Sequence, residues 1–198
     1  MSGSAAAFCA LLLALLGATA CERAATYDIP MSPLRASAVV PAAVAIALCS
    51  WLGLRGASGY TSAVLIAGAA VSATSDIQTG FVFDRVLGAG ALLLLPPALA
   101  SGRLADALSG AAIAAGLLLI PYACSRARGI GLGDVKFAAV VGFGLGTAGA
   151  FAALLLAVVG AGAVAAALLL AGRVTRSSSM RFAPFLAIGA AYAVVRLR

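Results

Sequence analysis

The chain has 198 residues, of which 64% are hydrophobic and only 10% are charged, and its mean hydropathy is +1.14. A soluble domain is about one quarter charged, so this composition excludes a soluble fold, and the chain is better divided into membrane spans of about 20 residues. The formal charge of +7 does not indicate nucleic-acid binding, because the basic residues stand singly or in small groups between apolar runs, as topology signals do.

The first apolar run, Ala5–Ala20, is short for a membrane span. It ends in Ala18-Thr19-Ala20, which has the small-residue pattern of a signal-peptide cleavage site, yet no Lys or Arg precedes it as a signal peptide requires. We therefore interpret it as a retained first span, with a cleaved signal as the alternative.

Seven further apolar segments follow, separated by short polar loops. They predict an all-α fold, a polytopic membrane helical bundle of about eight spans, or seven if residues 1–20 are removed. We expect one integral-membrane domain over 1–198, with a core of about seven spans in 36–198 and an extra span plus a short loop in 1–35. The seven segments are Ala36–Leu54, Tyr60–Ser75, Val86–Ala100, Ala105–Ala123, Asp134–Leu145, Ala150–Ala171 and Phe182–Val195.

The basic residues predict the orientation of the bundle. With eight spans, the loops at 21–35, 76–85, 124–136 and 172–181 share one side and hold nine Lys and Arg, whereas the other side holds four. The positive-inside rule places the first side in the cytoplasm. Asp76 and Asp134, two of only six acidic residues, then reach the same cytoplasmic face from separate helices.

Asp76 and Asp134 are the candidate catalytic residues. A carboxylate at a membrane boundary is costly unless it is paired or functional, and two neighbouring aspartates that share one proton are the machinery of aspartic proteases. The stretch Gly129–Lys136 places three glycines ahead of Asp134, and glycines allow another backbone to approach closely. The simpler interpretation, that the aspartates cap helix ends, fits Asp134 but not Asp76.

Four further residues beside these aspartates are auxiliary or substrate-groove candidates: Asp84, Gly131, Gly133 and Lys136. Asp84 precedes an apolar run and has an N-cap role as its alternative. Lys136 has three candidate partners: a carboxylate, a lipid phosphate, or the interface to which it would snorkel. Asp106 opens a span on the opposite face, and we interpret it as a cap only.

No cofactor and no metal are predicted. The chain has no histidine, and its four cysteines form no C-x-x-C pair, so neither a zinc site nor a structural disulfide is expected. The glycine series lacks a preceding strand and a following G-K-[ST], which makes a phosphate loop a weak interpretation.

Three motifs resemble those of the type IV prepilin peptidase family, the A24 aspartic peptidases of the GxGD class. Asp76–Asp84 is similar to the family's first aspartate and its I-P-[DN] step, although Phe83 stands where proline is usual. Gly131–Lys136 matches GxGDxK, and Phe182–Gly189 is similar to the late F-x-P-F-L-x-x-G signature.

The resemblance implies an aspartic endopeptidase of the bacterial inner (plasma) membrane, with Asp76 and Asp134 as its catalytic pair. Its implied substrates are prepilins or pseudopilins, whose short basic leader would be cut at the cytoplasmic face. Loop 21–35 has none of the C-x-x-C pairs of the larger bifunctional members, so the chain resembles the peptidase-only form of Tad/Flp pilus systems.

Two other functions stay open. The presenilin and signal-peptide-peptidase branch also uses Gly-Leu-Gly-Asp, but its Pro-Ala-Leu motif follows the second aspartate, whereas Pro97-Ala98-Leu99 lies between the two. A non-catalytic transporter or assembly subunit would use inward carboxylates as proton or ion sites near the membrane midplane.

Overall fold

The computed structural model describes residues 56–124, 130–174 and 181–196, and their regular structure is entirely α-helical, as predicted. The predicted spans Ala5–Ala20 and Ala36–Leu54 lie outside these ranges, so the total of eight spans stays a prediction. The five helices are α1 (Gly56–Thr79), α2 (Asp84–Ala100), α3 (Leu104–Cys124), α4 (Leu132–Leu170) and α5 (Ala183–Arg196).

Helix α1 extends one turn beyond the predicted end of its span. The sequence predicted a loop from Asp76 to Asp84, but the helix runs on to Thr79 and only residues 80–83 connect it to α2. The prediction was wrong because nothing in this turn breaks a helix until Gly80. Gly80 has φ +73° and its N–H donates to the carbonyl oxygen of Asp76 at 2.8 Å, which is a glycine C-terminal cap.

The predicted boundary between the sixth and seventh spans lies inside α4. Gly146 has φ +73° and ψ −176°, a conformation that essentially only glycine adopts, and it divides the 39-residue helix into two segments. At about 1.5 Å per residue a straight α4 would be almost twice as long as a hydrocarbon core is thick. This excess length is a physical reason for the helix to be divided.

Contacts with α5 show that the chain reverses at Gly146. Ala153 packs on Gly189, and Phe185 lies 3.6 Å from the Cβ position of Gly160, so residues 147–170 run antiparallel to α5. The first segment runs the other way, because Asp134 lies at the end where α5 begins and Gly144 packs on Leu65 in the first half of α1. The described residues therefore contain all six predicted segments from Tyr60 onward.

Close packing between the helices depends on small residues. A Cβ at Gly110 or at Gly142 would overlap the backbone carbonyl oxygen of the other glycine, so α3 and α4 touch through their backbones. Gly189 fits against the carbonyl oxygen of Ala153 in the same way. Small residues permit such approach in bundles that lack a hydrophobic driving force between helices.

Two of the described helices, α3 and α4, are long and apolar enough to cross a membrane. Large apolar side chains also point away from the bundle along its length, and a water-soluble surface does not present so many of them. Examples are Leu92 on α2, Ile120 on α3, Leu155 and Val159 on α4, and Ile188 on α5, each more than half exposed.

Candidate active site

Asp76 lies in the last turn of α1 and is buried, with 6% of its surface exposed. Its carboxylate receives the backbone N–H of Ala183, the first residue of α5. Because the first N–H groups of a helix have no partner within the helix, the start of α5 supplies a ready donor to this acid. Two helices that are distant in the chain thus hold the first candidate residue.

Asp134 lies in the first turn of α4 and is 9% exposed. The N-cap residue of α4 is Gly131 and not Asp134. Asp134 does take part in capping, but from the third helical position, where its side chain accepts the backbone N–H of the N-cap residue. The Gly131 N–H donates to Oδ2 of Asp134 at 3.2 Å, which leaves the second carboxylate oxygen for another role. Capping therefore engages only one of the two carboxylate oxygens of Asp134.

The two aspartates lie at the same end of the bundle and interact electrostatically. Among the described residues, buried side-chain oxygens without a hydrogen-bond partner occur at Asp76 Oδ2, Asp134 Oδ1 and Ser72 Oγ, and Ser72 lies one turn before Asp76 on α1. A buried, unpaired carboxylate oxygen costs folding free energy, and each such group needs an explanation. A proton-transferring dyad requires two carboxyl groups whose oxygens are left available in this way.

Asp84 and Lys136 form an ion pair between the two motifs. Lys136 Nζ lies 2.7 Å from Oδ2 and 2.9 Å from Oδ1 of Asp84, and both side chains are largely exposed. The N-cap of α2 is Phe83, so the capping alternative for Asp84 was wrong, although Asp84 does lie in the first turn. Of the three partners considered for Lys136, the structure provides the carboxylate.

Gly133 and Gly131 have different surroundings. A Cβ at Gly133 would lie 3.2 Å from Cβ of Val82, so the side chain that approaches Gly133 most closely belongs to the connection 80–83 between α1 and α2. A Cβ at Gly131 would meet Asp134 Oδ2 at 3.5 Å, an ordinary contact, and this residue is exposed. Gly129, the first glycine of the series, lies outside the described residues.

Sequence reasoning missed Arg181, which lies at this end of the bundle. Its Nη1 donates to the carbonyl oxygen of Ile77, the residue after Asp76, and its charge acts on the Asp76 carboxylate. The only signal in the sequence was its position directly before the Phe182–Gly189 signature. The contact with α1 depends on helix packing that a pattern of residue types does not reveal.

Asp106 lies at the opposite end of the bundle, as predicted, but it caps a helix segment other than its own. Its Oδ1 accepts the N–H of Thr147 at 3.0 Å, which caps the second segment of α4 directly after Gly146. Arg103 pairs with Asp106 at 3.0 Å, and Ser109 bonds to Thr147 at 2.7 Å. This polar cluster stabilises the reversal and is separate from the aspartate pair.

A family model described as the type IV leader peptidase family matches residues 63–169, which is just over half of the chain. The chain belongs to the type IV leader peptidase family. The match contains both aspartates, Asp84 and Lys136, and it ends before Arg181 and α5. Neither the curated proteins nor the solved structures contain a match to the chain.

Membership confirms the family that the motifs predicted and implies that the protein is a peptidase. Within a type IV leader peptidase, the arrangement at this end of the bundle is suited to hydrolysis by two carboxyl groups. The described donors around them, Gly131 N–H, Ala183 N–H and Arg181, come from three separate parts of the chain.

Proposed function

We propose that this chain is a membrane aspartic endopeptidase that cleaves the leader peptide of type IV prepilins or pseudopilins, with Asp76 and Asp134 as its catalytic dyad. The observation that carries the proposal is the pair of buried carboxylates, each with one oxygen that has no hydrogen-bond partner among the described residues. Family membership supplies the peptidase activity, and the dyad supplies a mechanism for it.

The chemistry follows from two carboxyl groups that share one proton. The ionised carboxylate takes a proton from water as the water oxygen attacks the scissile carbonyl carbon. The protonated partner gives its proton to the carbonyl oxygen and regains it as the tetrahedral intermediate collapses, while the first carboxyl group gives the proton from water to the leaving amine as the carbon–nitrogen bond breaks. This sequence needs neither a metal ion nor an organic cofactor, in keeping with the prediction of none.

The membrane location is supported by composition and by the surface of the bundle. Helices α3 and α4 have the length and apolarity of spans, and apolar side chains cover the outer faces of the helices. We place the protein in the bacterial inner membrane with the dyad facing the cytoplasm. The support for this orientation is the nine basic residues in the loops on the side of the aspartates.

The substrate we propose has a short basic leader followed by an apolar helix. A helical peptide bond is shielded by its own hydrogen bonds, so the substrate has to be unwound where it is cut, and this costs least at the junction between leader and helix. Ile77, Phe81 and Leu132 are exposed apolar side chains beside the two aspartates, and they suit the apolar side of that junction.

The absence of C-x-x-C pairs from loop 21–35 supports a peptidase without an N-methyltransferase domain. Mature substrate should then keep a free amine at its new N-terminus. The presenilin-like alternative loses support, because Pro97 and Ala98 line a cavity with Arg103 and Phe143 at the end of the bundle opposite the aspartates. A Pro-Ala-Leu motif there cannot contribute to the dyad.

The test is co-expression of the full-length protein with candidate prepilins from the same genome, followed by N-terminal sequencing of the products. We expect one cut at the boundary between the basic leader and the apolar segment, and an unmethylated new N-terminus. Uncut precursors with every candidate would contradict the proposed activity, and a cut within the apolar helix would favour the intramembrane-protease alternative.

A further inference from the structure

Arg181 connects the start of α5 to the end of α1. Its guanidinium Nη1 donates to the carbonyl oxygen of Ile77, one of the last carbonyls of α1. Such carbonyls have no partner within their own helix, and a cation at a helix C-terminus interacts favourably with the helix dipole. Arg181 thereby occupies a fixed place one residue beyond Asp76, although its side chain is exposed to solvent.

The residues that follow Arg181 anchor this contact. Phe182 is 8% exposed and Ala183 is completely buried, so the beginning of α5 is held in the core. The Ala183 N–H points to the Asp76 carboxylate, and the charge of Arg181 acts on the same group. The part of the chain beyond residue 180 therefore supplies Asp76 with a nearby positive charge and with a backbone hydrogen-bond donor.

The surroundings of Asp134 differ. Like Asp76 it accepts one backbone N–H, that of Gly131, and the repulsion between the two carboxylates acts on both of them, but no cation corresponding to Arg181 acts on Asp134 among the described residues. Asp84 and Lys136 at this end are paired with each other, and Arg85, which also lies there, is exposed. An adjacent cation favours the ionised form of a carboxyl group, so Arg181 is the feature that distinguishes Asp76 from Asp134.

We propose that Arg181 is a positioning residue that keeps Asp76 as the ionised member of the dyad, so that Asp76 is the base and Asp134 carries the proton. This inference rests on the dyad of the proposed function. Asp76 then accepts the proton of water while the water oxygen bonds to the carbonyl carbon, and Asp134 protonates the carbonyl oxygen. On collapse Asp134 regains its proton from the tetrahedral intermediate, and Asp76 delivers its proton to the amine as the carbon–nitrogen bond breaks.

The experiment uses the full-length enzyme in proteoliposomes and a fluorogenic peptide that spans the junction between a basic leader and an apolar segment. The variants are Arg181→Gln, which keeps a donor for Ile77 but removes the charge, and Arg181→Lys, which keeps the charge. Arg85→Met is the matched control, because Arg85 is an exposed arginine at the same end of the bundle, outside the proposed machinery. The pH dependence of kcat and the KM are measured for each.

We expect Arg181→Gln to lower kcat on the order of tenfold with little change in KM, and to move the acid limb of the kcat profile upward by about one pH unit. Arg181→Lys should return the limb close to its original position, and Arg85→Met should leave it unchanged. A structural role alone would change the amount of folded enzyme and not the position of the limb.

An unmoved acid limb in Arg181→Gln would overturn the inference, as would an equal shift in Arg181→Lys. Asp76→Asn in the same assay separates this failure from that of the proposed function. If Asp76→Asn is inactive while the Arg181→Gln profile matches the original, only the role of Arg181 is wrong. If Asp76→Asn keeps substantial activity, the dyad itself is wrong.

Discussion

Lys136 reaches across to Asp84, with its Nζ 2.7 and 2.9 Å from the two carboxylate oxygens, and so joins the second turn of α4 to the first turn of α2. Asp134 lies two residues before Lys136, and Asp76 lies in the last turn of α1, ahead of the connection 80–83 that leads to Asp84. The ion pair therefore ties together the two segments that hold the aspartates.

We predict that the ion pair matters more for activity than for stability. Exposed pairs contribute less than about 1 kcal/mol, so Asp84→Asn should change the thermal unfolding midpoint very little. Loss of the ion pair should reduce the initial rate of precursor cleavage several-fold. The double variant Asp84→Lys with Lys136→Asp, which exchanges the two charges, should recover part of the rate. If Asp84→Asn is as inactive as Asp76→Asn, Asp84 takes part in the chemistry itself.

Gly133 should tolerate no larger residue while Val82 is present. An added Cβ would lie 3.2 Å from Cβ of Val82, which is tighter than ordinary van der Waals contact. Valine at this position would therefore push the connection 80–83 away from α4. Gly133→Val should therefore abolish cleavage, and Val82→Gly, which removes the contacting Cβ, should restore activity to Gly133→Ala. Normal turnover in Gly133→Val would contradict this account of the glycine.

At Gly131, a substitution can test the passage of the substrate without disturbing helix packing. A Cβ fits there without a clash, and the backbone has φ −79°, which any residue adopts. Gly131→Ala should lower the thermal unfolding midpoint only slightly, because alanine is a poorer N-cap than glycine. It should lower kcat/KM clearly, because the methyl group would narrow the exposed side along which we place the substrate backbone. Unchanged kcat/KM would show that the substrate does not pass beside Gly131.

Asp106 should act on stability and leave the chemistry unaffected. Asp106→Ala removes the cap on Thr147 at the reversal of α4, and the loss of such a cap costs about 1–2 kcal/mol. The enzyme should unfold at a lower temperature while the kcat of the folded fraction stays the same, and Asp106→Asn, which keeps an acceptor, should be milder. An unchanged unfolding midpoint in Asp106→Ala would exclude the capping role.

Local chemistry made much of the described bundle predictable. Gly146 marked the reversal inside an apolar stretch of almost 40 residues, and the alternation of loops placed Asp76 and Asp134 at one end. The predicted end of α1 was one turn too early. Hydropathy falls after Ser75, but the residues up to Gly80 still favour a helix, and hydropathy alone does not show this.

Contacts between distant helices were the part that the sequence did not reveal. The partner of Asp106 is Thr147, and Arg181 reaches Ile77 across 104 positions of the chain. Each contact depends on the mutual arrangement of packed helices, which is fixed by glycine contacts such as that between Gly110 and Gly142. Residue types and spacing identify the aspartates, whereas the groups that surround them come from the packing.

The dyad is the central claim, and the most direct measurement is the initial rate of precursor cleavage by Asp76→Asn, Asp134→Asn and the double variant at equal membrane levels. Asparagine keeps the size of each side chain but can neither accept nor share the proton. Because the two carboxyls serve one reaction, we predict that each single variant is inactive and that the double variant is no worse than either. Substantial cleavage by Asp76→Asn or by Asp134→Asn would contradict the account.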